Sequence, residues 1–404
     1  MNTSVIPVLS GKRILLGVSG SIAAAKAADL ASRLTKAGAK VDAILTSAAT
    51  RFVSPLTFQS LTGRPALADL WSEEAHVLHV GLADGADLFV VAPATADILA
   101  KLAHGLADDL LTVTALAARC PLLVAPAMDG GMFSHPAVQA NLATLRARGV
   151  TVLGPADGRM ASGLEGPGRM LEPEEIFGHV RLAAGRNGPL AGRRVVVTAG
   201  GTQEPIDPVR VIANRSSGKQ GFALAQAALD RGAAVTLVAA PCALATPVGA
   251  SRVDVATAQE MADAVLEACA GADALVMAAA VADFRPARPA AKKLKKDAGP
   301  PAIELERTTD ILGVVTAARA RPACVVGFAA ETGDLLANAR KKLKEKRLSL
   351  IVANDVTQPG SGFGSDANRV TLIDAAGAEE LPLLSKAEVA GRILDRVQAI
   401  LPPT

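Results

Sequence analysis

The 404-residue chain has no tyrosine, one tryptophan and nine phenylalanines, so aromatics make up only 2% of it. That scarcity excludes a platform on which the bases of a single-stranded nucleic acid would stack. An excess of charge is missing too. The 42 basic residues are balanced by 39 acidic ones, which leaves no footprint for nucleic acid or for a membrane surface. Cysteine is sparse: Cys120, Cys242, Cys269 and Cys324 are scattered with no C-x-x-C pair. They read as reduced core residues of a cytoplasmic protein, not as a disulfide framework or a zinc site. No apolar run reaches the length of a membrane span. The stretch ILLGVSGSIAAAKAA is split by Gly17, Ser19, Gly20, Ser21 and Lys26, so it fits a strand, turn and helix better than a leader peptide.

What the chain does have is apolar material, half of its residues, and length for about two domains. Strands are expected at Arg13 to Val18, Lys40 to Leu45, Asp87 to Val91, Leu122 to Ala125 and Val150 to Leu153. Helices are expected at Ile22 to Ala37, Ala96 to Ala103, Asp108 to Ala118, Pro136 to Arg148 and Glu172 to Ala184. The run RNGPLAG reads as a linker. Beyond it strands are expected at Val195 to Val197, Val235 to Val238, Ala274 to Met277, Cys324 to Phe328, Leu348 to Val352 and Val370 to Ile373. Helices are expected at Phe222 to Arg231, Ala258 to Ala270, Asp310 to Arg319, Asp334 to Lys346 and Lys386 to Leu401. This alternation predicts an α/β protein with two doubly wound, Rossmann-like parallel-sheet domains, residues 1–189 and 190–404. Ligands then belong at the carboxyl ends of the strands.

The most specific stretch is VVVTAGGTQEPIDPVRVIANRSSGKQG, residues 195–221. A buried strand breaks at Gly200-Gly201, and Ser216-Ser217-Gly218-Lys219 leads into an Ala-rich helix, a setting suited to phosphate. It is no P-loop, because Ala213 and Gln220 break the pattern G-x-x-x-x-G-K-S/T. The first half places SGS, TSAA, APATAD and APAMDGGM at successive strand ends. It lacks G-x-G-x-x-G and an acid placed to read a ribose, so a mononucleotide fits better than a dinucleotide.

Taken whole, the 195–221 run resembles the ligase half of the bacterial bifunctional coenzyme A biosynthesis family. That family joins a phosphopantothenate–cysteine ligase to an FMN-dependent phosphopantothenoylcysteine decarboxylase. In the second half, AAVADF around Asp283 resembles the family's A-A-V-A-D-F/Y, and GFAAET, residues 327–332, reproduces G-F-A-A-E-T. The resemblance implies a CTP site of Met277, Ala278, Ala279, Asp283, Lys293, Thr309, Asp310, Ile311, Leu312, Phe328, Lys342 and Lys346. Asp283 would accept from the cytosine amine and Lys293 would meet the triphosphate. Lys342 and Lys346, four apart on a predicted helix, share a face, whereas Lys341 and Lys344 lie off that stripe. Asn214 would hold an activated acyl intermediate. Asn354-Asp355 and GFGSD, residues 362–366, also fit.

Residues 11–172 resemble the FMN-binding cysteine decarboxylases. That likeness implies an FMN site of Gly20, Ser21, Ile22, Thr46, Pro93, Ala94, Thr95, Lys101, Asp108, Asp109, Leu110 and Leu111. His79, eight residues before Asp87, matches the catalytic histidine, while His76 reads as a surface or packing residue. Two departures stand out. The family's P-x-M-N-x-x-M has Asp129 at its asparagine, and the flap motif A-C-G-x-x-G-x-G-R-M has Ser162 at its proton-donating cysteine. An ionised carboxylate only accepts hydrogen bonds. The expectation is therefore a protonated Asp129, or an Asp129–Ser162 pair that replaces the lost donor.

The implied activity couples 4′-phosphopantothenate to cysteine with CTP and Mg²⁺ through an acyl-cytidylate. The product is then decarboxylated to 4′-phosphopantetheine with FMN. An alternative keeps the ligase and makes the first domain a weakened or regulatory flavin-binding unit. The resemblance also implies a homo-oligomer, trimeric through the first domain and dimeric through the second. Metal ligands are not legible, and neither nucleic acid nor membrane is expected as a partner.

Overall fold

The computed structural model describes residues 6–71, 77–160, 162–295, 302–331, 334–355 and 364–402. Expectations on His76, Thr332, Gly362, Phe363 and the side chain of Glu331 lie outside them. The chain divides into two compact units, Met1–Gly185 and Arg186–Thr404.

The first unit contains strands β1 (Arg13–Val18), β2 (Lys40–Leu45), β3 (Leu88–Ala94), β4 (Leu122–Pro126) and β5 (Thr151–Val152). They form one parallel sheet in the order β2-β1-β3-β4-β5. Nearly every residue of β1, β2 and β3 is buried, as a sheet covered on both faces requires. The covering helices are α1 (Ala24–Lys36), α2 (Pro55–Thr62), α3 (Leu78–Asp84), α4 (Ala96–His104), α5 (Leu110–Ala117), the short α6 (Gly130–Phe133), α7 (Pro136–Ala147) and α8 (Pro173–Gly185). A hairpin of β6 (Ala156–Arg159) and β7 (Glu165–Arg169) stands apart from the sheet.

Several boundaries shift for local reasons. Helix α1 starts at Ala24 rather than Ile22, because Ser21 takes the N–H groups of Ala23 on its Oγ (3.2 Å) and of Ala24 on its carbonyl (2.9 Å). Helix α5 starts at Leu110 rather than Asp108, because Asp109 and Thr112 form a reciprocal capping box. The strand expected over Val150 to Leu153 shrinks to the two residues that pair with Leu123 and Val124. Two cysteines are less interior than expected: Cys120 and Cys242 are half-buried, while Cys269 and Cys324 are core thiols that burial pushes up to about 11 and about 12.

The second unit opens with β8 (Arg194–Ala199), followed by an arm of β9 (Gln203–Pro205) and β10 (Val211–Ala213). Then come α9 (Lys219–Leu229), β11 (Ala234–Ala239), β12 (Ser251–Asp254), α10 (Ala258–Cys269) and β13 (Ala274–Met277). The ribbon β14 (Phe284–Pro286) and β15 (Leu305–Arg307), α11 (Ile311–Ala317), β16 (Cys324–Glu331), α12 (Leu335–Glu345) and β17 (Leu350–Asp355) follow. The chain closes through β18 (Ala367–Asn368), β19 (Val370–Ile373), β20 (Ala378–Glu380), β21 (Leu384–Ser385) and α13 (Lys386–Ile400). The eight-stranded sheet runs β12-β11-β8-β13-β16-β17-β19-β20. It is parallel up to β17, and β19 and β20 add an antiparallel edge.

Each sheet reverses its winding once, between β1 and β3 and between β8 and β13, and such switch points are where open α/β sheets receive ligands. The helix after β8 lies close on its own strand. A Cβ on Gly221 would meet the Ala199 Cβ at 2.5 Å and the Thr198 carbonyl oxygen at 2.7 Å. Gly221→Ala should therefore push α9 off β8 and destabilise the second unit by about 1–3 kcal/mol, read as a lowered denaturation midpoint. An unchanged midpoint would show that the helix can shift without cost.

Candidate active sites

At the β1–β3 switch point, Ser19 ties the two strand ends together. Its Oγ donates to the Pro93 carbonyl (2.8 Å) and accepts from the Thr95 N–H (3.1 Å). Thr95 in turn caps α4, and Thr46 takes the Ala49 N–H on its Oγ1 at 3.1 Å. A cavity of about 420 Å³ opens here, bordered by Gly20, Ser21, Thr46, Thr95, Lys101 and Asp109, and also by Ser47, Ala48, Met128 and Met132. Gly20 admits no side chain, since a Cβ would sit 2.5 Å from that of Ala48. Lys101 is drawn to three carboxylates, Asp108 (3.0 Å), Asp97 (3.6 Å) and Asp109 (3.7 Å). Burial lowers its pKa, and the Asp108 hydrogen bond and the three charges outweigh that and raise it.

Other expected members of this site sit differently. Ile22 is exposed beyond the cavity rim. Pro93 and Ala94 are buried in β3, and Leu110 and Leu111 pack in the hydrophobic core behind it. His79 lies on α3, partly exposed and not among the cavity's lining residues. Helix α3 packs against α5, whose cap is Asp109.

The β6–β7 hairpin docks on the segment that holds Met128 and Met132. The Met128 N–H donates to the Gly168 carbonyl (3.0 Å), and a Cβ on Gly168 would come within 2.3 Å of the Met128 carbonyl oxygen. The two departures from the family pattern meet at this junction: the Ser162 hydroxyl donates to Asp129 Oδ2 at 2.6 Å. Asp129 also caps α6 by accepting the Gly131 N–H at 3.0 Å. The Ser162 hydrogen bond, then the Gly131 one, hold the Asp129 carboxyl below the usual carboxylate range. Asp129 thus accepts from Ser162, these hydrogen bonds favour its charged form, and the Asp129–Ser162 pair expected from the sequence is brought together. A depressed carboxyl keeps this tie intact above its ordinary pKa, and the tie is lost only as pH falls through the lowered value.

At the second switch point the stitching recurs. Thr198 Oγ1 accepts from the Ala279 N–H (3.0 Å), Thr202 Oγ1 from the Ala282 N–H (2.9 Å), and the Ala280 N–H reaches the Gly200 carbonyl (2.8 Å). A cavity of about 1060 Å³ lies over these ends. It gathers Asn214, Met277, Ala278, Ala279, Asp283, Thr309, Asp310, Ile311, Leu312, Phe328, Lys342 and Lys346. Lys293 is exposed and not among its lining residues. Asn214 Nδ2 donates to the Val281 carbonyl at 2.9 Å. On α12, Lys342 Nζ donates to the Phe328 carbonyl (2.9 Å), and Lys346, the residue that caps the helix's C-terminal end, pairs with Asp310. Asp310 also caps α11. Burial raises its carboxyl pKa, but Lys346, the Gly313 N–H and Lys342 bring it below its ordinary value. Lys341 is turned to solvent, 73% exposed, with Glu345 at 4.0 Å.

Sequence reasoning missed several residues of this cavity, including Arg307, Thr308, Asn368 and Lys386. Lys386 is only 8% exposed, and burial and the nearby Lys219 charge lower its pKa. The capping box Ser385-x-x-Glu388 announced the helix, yet nothing local told that its first lysine turns inward.

Two doubly wound units, each with a polar cavity at its switch point, define an α/β enzyme with two separate small-molecule sites. The family model "DNA/pantothenate metabolism flavoprotein C-terminal domain" matches residues 190–401, and the model "Flavoprotein" matches residues 7–183. The coenzyme A biosynthesis bifunctional protein CoaBC of Vibrio vulnificus (strain CMCP6) is 47% identical over 397 residues, covering 97% of this chain and 99% of its own. The protein of that name from Mycobacterium bovis is 50% identical over 406 residues, covering 96% and 97%. A crystal structure of the C-terminal domain of such a bifunctional protein is 41% identical with a TM-score of 0.46, covering 53% of this chain and 97% of that one. The chain belongs to the family of coenzyme A biosynthesis bifunctional proteins.

The charged stripe of α12 yields a direct test. Lys342→Ala and Lys346→Ala should each weaken pyrophosphate binding about tenfold, as loss of a charge-assisted hydrogen bond does, while Lys341→Ala leaves it unchanged. Calorimetric titration reads this, and a sensitive Lys341 would overturn the assignment of the cavity face.

Proposed function

We propose that the second unit joins 4′-phosphopantothenate to cysteine at the expense of CTP, and that the first unit decarboxylates the product to 4′-phosphopantetheine with FMN. The observation that carries this reading is the pair of polar cavities at the two switch points of a chain that belongs, over its length, to the bifunctional family.

In the second unit, Asp283 accepts from the cytosine amine, Phe328 flanks the base, and Met277, Ala278, Ala279, Thr309, Ile311 and Leu312 line the nucleotide. Attack of the substrate carboxylate on the nucleotide's α-phosphorus forms the acyl-cytidylate and expels pyrophosphate. Charge builds at phosphorus, and Lys293, Lys342 and Lys346 offset it. The cysteine amine then attacks the acyl carbon, forming the amide and releasing CMP. The Val281 tether holds the Asn214 amide at the cavity wall, where it binds the acyl group and accepts from the amine. Among the described residues no cluster of three metal-ligating side chains occurs. Mg²⁺ would accordingly be bound chiefly by the triphosphate, as is usual for this ion.

The first cavity suits a flavin mononucleotide in size, in its hydroxyl and backbone donors, and in the bare backbone of Gly20. FMN supplies the electron sink for loss of CO₂ and the return of electrons, with no net redox change. Gly20 and Ser21 would hold its phosphate with Ile22 outside them, Thr46, Thr95, Lys101 and Asp109 would line the rest, and Asp108, Pro93, Ala94, Leu110 and Leu111 would support that wall from behind. His79 takes the proton of the substrate thiol. In the reductive half Ser162, its hydroxyl released from Asp129, gives its proton to carbon and regains one from water or from Asp129, the two residues acting as a replacement pair.

Assembly through both units as a homo-oligomer fits the bifunctional family, and exposed Trp71 and Leu56 in the first unit and Val209 in the second are available to it. The proposal has a trimer formed by the first unit and a dimer by the second. Four free thiols favour the cytoplasm, and no helix among the described residues is long and apolar enough to cross a membrane.

The purified protein should be yellow with dissociable FMN. With phosphopantothenate, cysteine, CTP and Mg²⁺ it should release CMP and CO₂ in equal amounts, each followed separately. CMP without CO₂ would leave a ligase with a regulatory flavin unit, and neither product would overturn the reading. In a single turnover Ser162→Ala should still release CO₂ but leave an unsaturated enethiol, detected by product mass. Saturated product at the parent rate would make Ser162 a flap residue only.

A further inference from the structure

The segment that carries the basic run, residues 287–295, contains no helix or strand, yet its backbone is gripped at three points. The Ala290 N–H donates to the Ile206 carbonyl (2.8 Å). The Leu294 N–H donates to Asp207 Oδ2 (3.1 Å), and the Leu294 carbonyl accepts from Arg210 Nη1 (3.1 Å). The same Arg210 nitrogen reaches Asp207 Oδ2 at 2.6 Å, so acid and base close a ring around the backbone of one residue, Leu294.

Asp207 divides its labour between its two oxygens. Oδ1 accepts the N–H groups of Val209 (2.8 Å) and Arg210 (2.9 Å) and builds the turn between β9 and β10. An asparagine or serine would serve a turn of that kind equally well. Oδ2 serves the clamp alone. The Asp207 side chain is fully buried, 0% exposed, while its partner Arg210 is 46% exposed. Burial of a carboxylate is costly, and here the cost is offset only because four donors converge on it. A turn does not require that arrangement, but holding a distant segment does.

The clamp also has a direction. From the Asp207 turn the chain runs through β10 straight to Asn214 in the cavity wall. The opposite strand, β9, is moored by Glu204, whose Oε1 accepts the Ala258 N–H at the start of α10 (2.8 Å), and β9 packs against β14. The arm is thus fixed at its base, and its tip holds the residue next to Lys293.

We infer that Asp207 is the positioning residue for Lys293: with Arg210 it grips Leu294, sets the basic segment beside the nucleotide cavity and links it to the strand that carries Asn214. This rests on the reading that Lys293 meets the CTP triphosphate.

Asp207→Asn separates the two duties. Its oxygen can keep the turn, but its NH₂ faces the Leu294 N–H and the Arg210 guanidinium, and donor against donor opens the clamp. In the full-length protein, the CTP KM of pyrophosphate release should rise about tenfold and kcat should fall with it, in Asp207→Asn as in Lys293→Ala. The double variant should be no worse than Lys293→Ala. Trypsin should cut after Lys292, Lys293 and Lys295 faster in Asp207→Asn than in the parent. If Lys293→Ala raises the CTP KM and Asp207→Asn does not, or if the two effects multiply, the positioning role is overturned while the CTP reading stands. If Lys293→Ala itself leaves the CTP KM unchanged, the assignment of Lys293 falls and the inference falls with it.

Discussion

The burial of both faces of two parallel sheets is the constraint on which the rest depends. Strands such as RILLGV and RVVVTA have almost no polar side chain to spare, so polar chemistry collects where they end. There the sheets solve the same problem in the same way. A hydroxyl at the end of the first strand, Ser19 in one unit and Thr198 in the other, crosses the switch point and takes a backbone N–H from the strand beyond. Small residues follow because the backbone itself forms the floor of each cavity, and a Cβ at Gly20 or Gly221 has nowhere to go. The sites are consequences of the winding, and the side chains added to them decide what each one holds.

Most of the sheet strands were legible because fully buried strands write themselves as short apolar runs. Glycines such as Gly38 and Gly232, both left-handed in the structure, close the helices between them. Helix starts were less legible, since capping by Asp109 and Asp310 moves the first helical residue one position beyond the cap. What escaped was structure made by partners far apart in sequence. The flap hairpin, ADGR against EGPGR, has no apolar alternation, and its docking on Gly130 and Met128 is visible only in space. The arm β9–β10 and the strand β12 are three or four residues long and owe their shape to neighbours.

The candidate sites divide along the same line. Residues lying directly at strand ends, from Met277 to Asp283 and from Gly20 to Ser21, could be placed from the sequence because the strand itself delivers them. Lys342 and Lys346 could be placed because helical spacing is regular. Lys386 could not, because its burial depends on how α13 meets the Gln220 end of α9, where Gln220 Nε2 donates to the Lys386 carbonyl. Asp129 and Ser162, 33 residues apart, were expected to meet because both depart from one family pattern, and the docked hairpin brings the hydroxyl to the carboxylate.

The pairing of Lys346 with Asp310 makes the larger cavity carry its own counter-ion. An incoming anion must displace a carboxylate that is fixed to the same wall by the Gly313 N–H and does not diffuse away. Asp310 is held by the Gly313 N–H on one side and by Lys346 on the other, and both favour its charged form, so the larger cavity keeps a fixed negative charge next to its lysines.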